Sequence, residues 1–266
     1  MQKHDKLFIG GEWVAPATGN TIEVISPHTE EVVGIVPDAS TADVDKAVAA
    51  ARDAFDNGPW PRLTPEERIA AVQKFSDLYM GRMGDMAEVI TTEMGSPISF
   101  SNLGQAPAAW MMLNTFIQLA GAYPWEETRL GVLGTDVIVR SEPVGVVAGI
   151  VPWNVPQFVT MSKLAPALLT GCTIVIKPAP ETPLDAYLMA ELLEEAGIPK
   201  GVVSVLPAGR EVGEHLVRHP GIDKVAFTGS TAAGRTIASI CGEQLKRVSL
   251  ELGGKSAAII LDDADL

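Results

Sequence analysis

Five stretches in this 266-residue chain place polar or reactive side chains directly behind apolar runs: Pro152-Trp153-Asn154, Lys177-Pro178-Ala179, Pro207-Ala208-Gly209, Thr228-Gly229-Ser230 and Glu251-Leu252-Gly253-Gly254-Lys255. Each has a chemical reading and a plain one. Asn154, after a Pro-Trp turn, offers an amide donor to a developing oxyanion, or closes an Asx turn. Glu251 ends an apolar run before two glycines, so a close backbone would partly desolvate its carboxylate and raise its pKa toward that of a general base. The alternative is an exposed strand-end glutamate. Thr228-Gly229-Ser230 opens a helical stretch, where free N–H groups, the positive dipole end and the Ser230 hydroxyl would hold a pyrophosphate, or Ser230 is simply an N-cap. Lys177 would serve a ribose or phosphate, or lie solvated at the surface. No GxGxxG and no GxxxxGK[ST] occurs, so neither the ordinary dinucleotide fingerprint nor a P-loop is supported.

Metal chemistry is not indicated. Cys172 and Cys241 form no CxxC, and His215 and His219, although spaced i, i+4, lack the carboxylate of an HExxH motif. They read as histidines at a helix end.

The elements that must carry these residues follow from periodicity. VGVVAGIV, CTIVIKP, VVSVLP, KVAFTG and KRVSLEL read as strands, and SKLAPALLT, LDAYLMAELLEEAG, EVGEHLVRH and TAAGRTIASIC as the helices between them. Strands alternating with helices of roughly 10–15 residues predict an α/β fold with a doubly wound parallel sheet, whose ligands sit beyond the carboxyl ends of the strands. Upstream, LFIGGEWV, TIEVISP and EEVVGIVPD predict a small β element. Helices follow over TADVDKAVAAARDAF, capped by Ser40 or Thr41, and over TPEERIAAVQKFSDLYM, opened by a Thr64-Pro65-Glu67 capping box. Further helices are expected around Asp85 to Glu93 and from Gln105 to Gly121, then a protruding hairpin at 126–143 whose edges favour a partner subunit.

Composition narrows the function classes. A net charge of −13 repels phosphate backbones and anionic lipid, which disfavours nucleic-acid and membrane-surface roles. No apolar run is long enough for a signal peptide or a membrane span, so a cytoplasmic location is expected.

Taken in order, VPWN at 151–154, TIVIKPA at 173–179, GIPKGVVSVL at 197–206, FTGST at 227–231 and LELGGKS at 250–256 resemble the aldehyde dehydrogenase superfamily, and the likeness runs from FIGGEWV to the last residue. The resemblance implies a Rossmann-like NAD(P)-binding domain at 1–125 and 144–250, an oligomerisation hairpin at 126–143, and the start of a catalytic domain at 251–266. It implies oxidation of an aldehyde to a carboxylic acid by a homo-oligomer. Asn154 would stabilise an oxyanion and Glu251 would activate water. Trp153 and Ser230 would line the pyrophosphate path, Lys177 would meet the adenosine ribose, and Leu252 and Gly253 would lie near the nicotinamide. Val151, Pro152, Pro180, Gly209, Phe227, Thr228 and Gly229 complete the implied cofactor set. Many NAD-preferring members carry Glu where this chain has Pro180, with Glu181 next door, so either NAD or NADP is expected.

The family's nucleophilic cysteine lies a few tens of residues beyond the LELGGKS motif, and this sequence finishes at Asp265-Leu266. Cys172 and Cys241 read as packing cysteines. The expectation is therefore a fragment or truncated product, inactive alone. The alternative is a nucleotide-binding module without catalysis. A different enzyme class on a similar sheet, such as a methyltransferase, gives Asn154 and Glu251 no role, and the motif order counts against it.

Overall fold

The computed structural model describes residues 1–265. Five short strands come first: β1 (Gln2–Lys3), β2 (Leu7–Ile9), β3 (Glu12–Val14), β4 (Thr21–Ile25) and β5 (Val32–Pro37). Helices α1 (Thr41–Asp56), α2 (Pro65–Gly81) and α3 (Met83–Met94) follow, then a short α4 (Ile98–Phe100) that passes through a π-turn into α5 (Ala106–Ala122). The hairpin strands are β6 (Glu126–Leu130) and β7 (Asp136–Arg140). The alternating half comprises β8 (Val146–Ile150), α6 (Pro156–Leu169), β9 (Thr173–Lys177), α7 (Leu184–Glu195), β10 (Val203–Val205), α8 (Arg210–Arg218), β11 (Lys224–Gly229), α9 (Thr231–Glu243) and β12 (Arg247–Leu252).

The helices start where capping chemistry lets them. Asp43 accepts the backbone N–H of Ser40 at 2.9 Å ahead of α1. Ahead of α2, Thr64 and Glu67 bond each other's backbone N–H at 3.3 and 2.8 Å, with Pro65 at the first helical position. Helix α3 stops at Gly95, whose φ of +80° suits glycine.

The main sheet has the order β12-β11-β8-β9-β10-β2-β3. The five expected strands are parallel, with Val146 to Ile150 facing Thr173 to Lys177 on one side and Lys224 to Phe227 facing Val147 to Ile150 on the other. Chain order runs outward from β8 through β9 to β10, then returns to the far side of β8 for β11 and β12. That reversal is the switch point of a doubly wound sheet. The apolar runs are buried from both faces. One core, under α2, α5, α6 and α7, includes Trp60, Phe75, Tyr79, Leu113, Leu164 and Ile174. The other, under α1, α8 and α9, includes Val48, Val146, Val175, Leu216, Val225 and Ile240.

The amino-terminal β segment does not stay together. The β2–β3 hairpin, turned by Gly10 and Gly11 at positive φ, joins the main sheet antiparallel to β10, with Phe8 opposite Val205. Gly10 N–H donates to Ser204 Oγ at 2.8 Å and Gly201 N–H to the Gly10 carbonyl at 2.8 Å. Strand β10 would otherwise be an uncovered edge. The rest forms a separate sheet, β1-β5-β4. At the other edge β12 runs to Leu252, the end of the KRVSLEL strand expected from sequence.

Candidate functional site

At the switch between β8 and β11 a cleft of about 320 Å³ opens, lined by Ile150, Lys177, Pro180, Gly209, Phe227 and Ile237 among others. Four expected cofactor residues, Lys177, Pro180, Gly209 and Phe227, therefore meet in one place. Helix α8 begins beside the cleft after Gly209, which supplies no capping side chain. Its first N–H groups are left for a ligand. Helix α9 begins at Ser230, whose hydroxyl accepts the Ala233 N–H at 3.2 Å, so the capping reading of Ser230 is realised.

Lys177 is not the solvated surface lysine that its sequence position allowed. It is 7% exposed, and Nζ donates to the carbonyls of Pro178 at 2.8 Å and Ala208 at 2.7 Å. Burial lowers its pKa to about 8, against the opposing pull of Glu181 and Asp38. The ammonium ties the ends of β9 and β10 together, and Gly213 lets α8 lie against its stem, where a Cβ would come within 3.3 Å of Lys177 Cδ.

A second cleft, about 510 Å³, lies on the opposite face of the sheet and includes Phe158, Lys163, Cys172, Thr228 and Glu251. Thr228 and Glu251 are register partners on parallel strands, so they share that face. Lys163, on α6, donates to Thr228 Oγ1 at 2.7 Å and is 7% exposed. Burial lowers its pKa to about 8, while Glu251 favours the charged form. Sequence reasoning missed this lysine. Its signal was a single charge inside VTMSKLAPALL, at a spacing that buries it with Thr160 and Leu164.

Three of the expected residues lie outside that first cleft. Glu251 is exposed rather than partly desolvated, because β12 is an edge strand with no covering neighbour among the described residues. Val151 is buried in the core and donates its N–H to the Lys177 carbonyl at 3.2 Å, so it extends the ladder and does not line the cleft. Alternation along β11 turns Thr228 away from the cleft that Phe227 lines, toward Lys163 and Glu251.

The remaining residues ring the switch point. Asn154 is exposed, and among the described residues its side-chain amide makes no hydrogen bond, so no Asx turn forms. Its backbone carbonyl accepts from Gln105 Nε2 at 3.3 Å. Pro152 is half-buried beside it. Trp153 is 53% exposed and shares a shallow pocket with Glu93, Pro180 and Glu181. Gly229 ends β11. Leu252 reaches over Gly234 of α9, where a Cβ would come within 2.5 Å of it, and the Gly253 carbonyl accepts from Thr231 Oγ1 at 3.5 Å. Cys172 and Cys241 are both buried. His215 and His219 both meet Asp45 of α1, at 2.6 and 3.5 Å, and His219 Nδ1 accepts the Gly221 N–H at 3.0 Å. No helix among the described residues is long and apolar enough to cross a membrane.

The arrangement is thus an apolar cleft with an uncapped helix start on one face, a buried lysine bonded to Thr228 near the Glu251 carboxylate on the other, and a free amide at the switch between them. Comparison with known proteins agrees with it. The model of the "Aldehyde dehydrogenase family" matches residues 13–266. A geranial dehydrogenase of Castellaniella defragrans is 44% identical over 99% of this chain and 55% of its own length. A phenylacetaldehyde dehydrogenase of Pseudomonas fluorescens is 40% identical over 98% and 53%. The crystal structure of a Mycobacterium tuberculosis aldehyde dehydrogenase complexed with NAD+ superposes with a TM-score of 0.94 at 50% identity, covering 100% of this chain and 55% of that one. The chain spans about half the length of the relatives it matches. A family model that matches almost the whole chain, and relatives this similar, make it a member of the aldehyde dehydrogenase family.

Proposed function

We propose that this chain is the cofactor-binding part of an enzyme that oxidises an aldehyde to a carboxylic acid with NAD or NADP. The observation that carries the reading is the uncapped start of α8 facing an apolar cleft at the β8/β11 switch. An apolar floor suits a nucleobase, and a bare helix start suits phosphate oxygens. Neighbouring structures include an aldehyde dehydrogenase of Pseudomonas syringae in complex with NAD+ and octanal, at 40% identity and a TM-score of 0.91. When bound, the dinucleotide supplies the hydride acceptor. Lys177, Pro180 and Phe227 would hold its adenosine part, the α8 start behind Gly209, with Trp153, Gly229 and Ser230, its phosphates, and Leu252 and Gly253 would border its nicotinamide.

The other roles belong to side chains of this chain. The Asn154 amide donates to the oxygen that gains charge when a nucleophile adds to the aldehyde carbon. Glu251 takes the proton of the water that later attacks, and Lys163 supplies a charge beside that carboxylate. A cytoplasmic homo-oligomer, joined through the hairpin, completes the reading.

Gly209→Asp tests it, because a capping carboxylate would occupy the helix start and repel phosphate. Titration calorimetry of the 266-residue chain should show at least about tenfold weaker NAD+ binding, near 1.4 kcal/mol. Equal affinity would count against the site. In the protein of full family length, Glu251→Gln should lower turnover by roughly 10²- to 10⁴-fold. With both its cysteines buried, the 266-residue chain alone should bind cofactor without oxidising aldehydes, since no thiolate stands ready to attack.

A further inference from the structure

Asn154 lies on a turn between β8 and α6, and an exposed turn does not fix a side-chain amide by itself. The only side chain among the described residues that hydrogen-bonds this residue comes from far away in sequence. Gln105 is 4% exposed, and its Nε2 donates to the Asn154 carbonyl at 3.3 Å, with Met94 Sδ on its other side at 3.9 Å.

Gln105 points there because the helix is not regular. Residues Ser101–Gln105 form a π-turn, in which Ala106 N–H donates to the Ser101 carbonyl five residues back. One extra residue in a turn rotates the downstream helix face by about 100°, and such insertions recur at functional sites. The turn is pinned from behind, since Ser101 is fully buried and accepts from Thr91 Oγ1 of α3 at 2.8 Å. A continuous path therefore runs from α3 through Ser101 and the π-turn to Gln105 and the backbone of Asn154.

We propose that Gln105 is a positioning residue: by holding the Asn154 carbonyl it orients the turn that presents the Asn154 amide to the reacting oxygen. This rests on the role given to Asn154 above. A loss of the tether lets the turn pivot, and displacement of a donor by about 1 Å is enough to cost up to about 10² in rate.

Two variants test it. Gln105→Leu keeps bulk and removes the donor. In the 266-residue chain it should lower the NMR backbone order parameters at residues 153–155, with a fall in melting temperature of only about 2–4 °C. In the protein of full family length it should lower kcat about 10- to 100-fold, a larger change than any in KM for the dinucleotide. Gln105→Glu donates when protonated and repels the carbonyl when ionised, so its kcat relative to wild type should recover as pH falls. A side chain that merely fills space would not produce that profile. Unchanged order parameters at 153–155 in Gln105→Leu, or a flat kcat ratio across pH in Gln105→Glu, overturns the proposal. If the wild-type protein of full length oxidises no aldehyde, the functional reading fails while the order parameters still decide the tether.

Discussion

At the scale of single residues, burial decides what a charge is worth. Lys163 and Lys177 each keep a cation almost out of water, and both are drawn down to a pKa of about 8. An unfolded lysine titrates near 10.4, so between about pH 8 and pH 10 the unfolded chain binds more protons than the folded one. These two groups therefore make stability rise with pH across that window. Urea unfolding at the two ends of the window should show the rise, and Lys163→Met should remove part of it; an identical slope in the variant would mean that the ammonium is solvated. Pro180 carries a different consequence. It lines the cleft proposed for the cofactor, where the family resemblance puts a carboxylate in many NAD-preferring members, and a carboxylate on the ribose bonds a 2′-OH but opposes a 2′-phosphate. The present chain should discriminate NAD from NADP by less than about 100-fold, near 2.7 kcal/mol. Pro180→Glu should then raise the preference for NAD by at least about tenfold. Titration with both dinucleotides checks this, and an unmoved ratio would place the ribose elsewhere.

Among the elements, the joint between α3 and α7 is made of buried carboxylates. Glu93 accepts the backbone N–H groups of Leu184 and Asp185 at 2.7 and 2.9 Å, capping α7 from outside. Burial and the neighbouring Asp185 hold Glu93 well above the usual carboxylate range. Burial pushes Asp185 up to about 7, although Gln157 and the Ala186 N–H pull it down. The pair shares protons in the folded state that the unfolded chain releases near pH 4. Its contribution to stability is therefore complete in acid and is lost as pH rises through about 7. Asp185→Asn removes the second charge and leaves Glu93 free to ionise against its two N–H donors. Melting curves should show variant and wild type nearly equal at pH 5, with the variant the more stable at pH 8. Parallel pH profiles would show that the pair does not titrate in this window.

The same scale shows what could be read from sequence. The five parallel strands were legible because each is a short apolar run bounded by turn residues, and the cap at Ser40 or Thr41 and the capping box at Thr64 marked their helices. The start of α6 was not. Pro156 sits at its first position, but PWNVP carries turn signals, so the helix was expected only from Ser162. Lys163 then stood at a helix start, where a lysine is commonplace, instead of in the middle of a buried face. The pairing of β2 with β10 depends on Phe8 meeting Val205, residues far apart in the chain, and local periodicity holds no information about such partners. The π-turn at Ser101–Gln105 lies in SNLGQ, a stretch without apolar spacing to announce it. Clustering of Lys177, Pro180, Gly209 and Phe227 was legible because all four lie at or just beyond the carboxyl ends of parallel strands. The exposure of Glu251 is one of two readings that the sequence leaves open, and it is decided by β12 being an edge.

For the whole molecule, the hairpin β6–β7 is the part least explained by contacts within the chain. An isolated two-stranded ribbon is marginal in water. Its ion pairs, Arg140 with Glu126 at 2.7 Å and Arg129 with Glu127 at 3.1 Å, are exposed and add little. Yet Leu130, Val132, Leu133 and Ile138 stand in solvent at 80, 104, 91 and 62% exposure. A ribbon with apolar side chains and no covering layer gains most by burying them against another copy, which supports the oligomerisation role proposed for it. The net charge of −13 works in the other direction, because two like-charged chains repel beyond contact distance. Salt screens that repulsion, with a Debye length of about 10 Å at 0.1 M and about 3 Å at 1 M, while apolar burial is left intact. Association through the hairpin should therefore strengthen as salt is raised. Charges placed at Leu130 and Ile138 should abolish it. Sedimentation of wild type and of Leu130→Lys with Ile138→Lys, at low and high salt, separates the contributions. Wild type should shift to larger species with salt, and the double variant should stay monomeric at both with an unchanged circular dichroism spectrum, since the substituted side chains touch solvent rather than core. If the double variant associates as strongly as wild type, the contact lies on another surface, with the exposed Leu252, Ile259, Ile260 and Leu261 at the carboxyl end as the next apolar group to substitute.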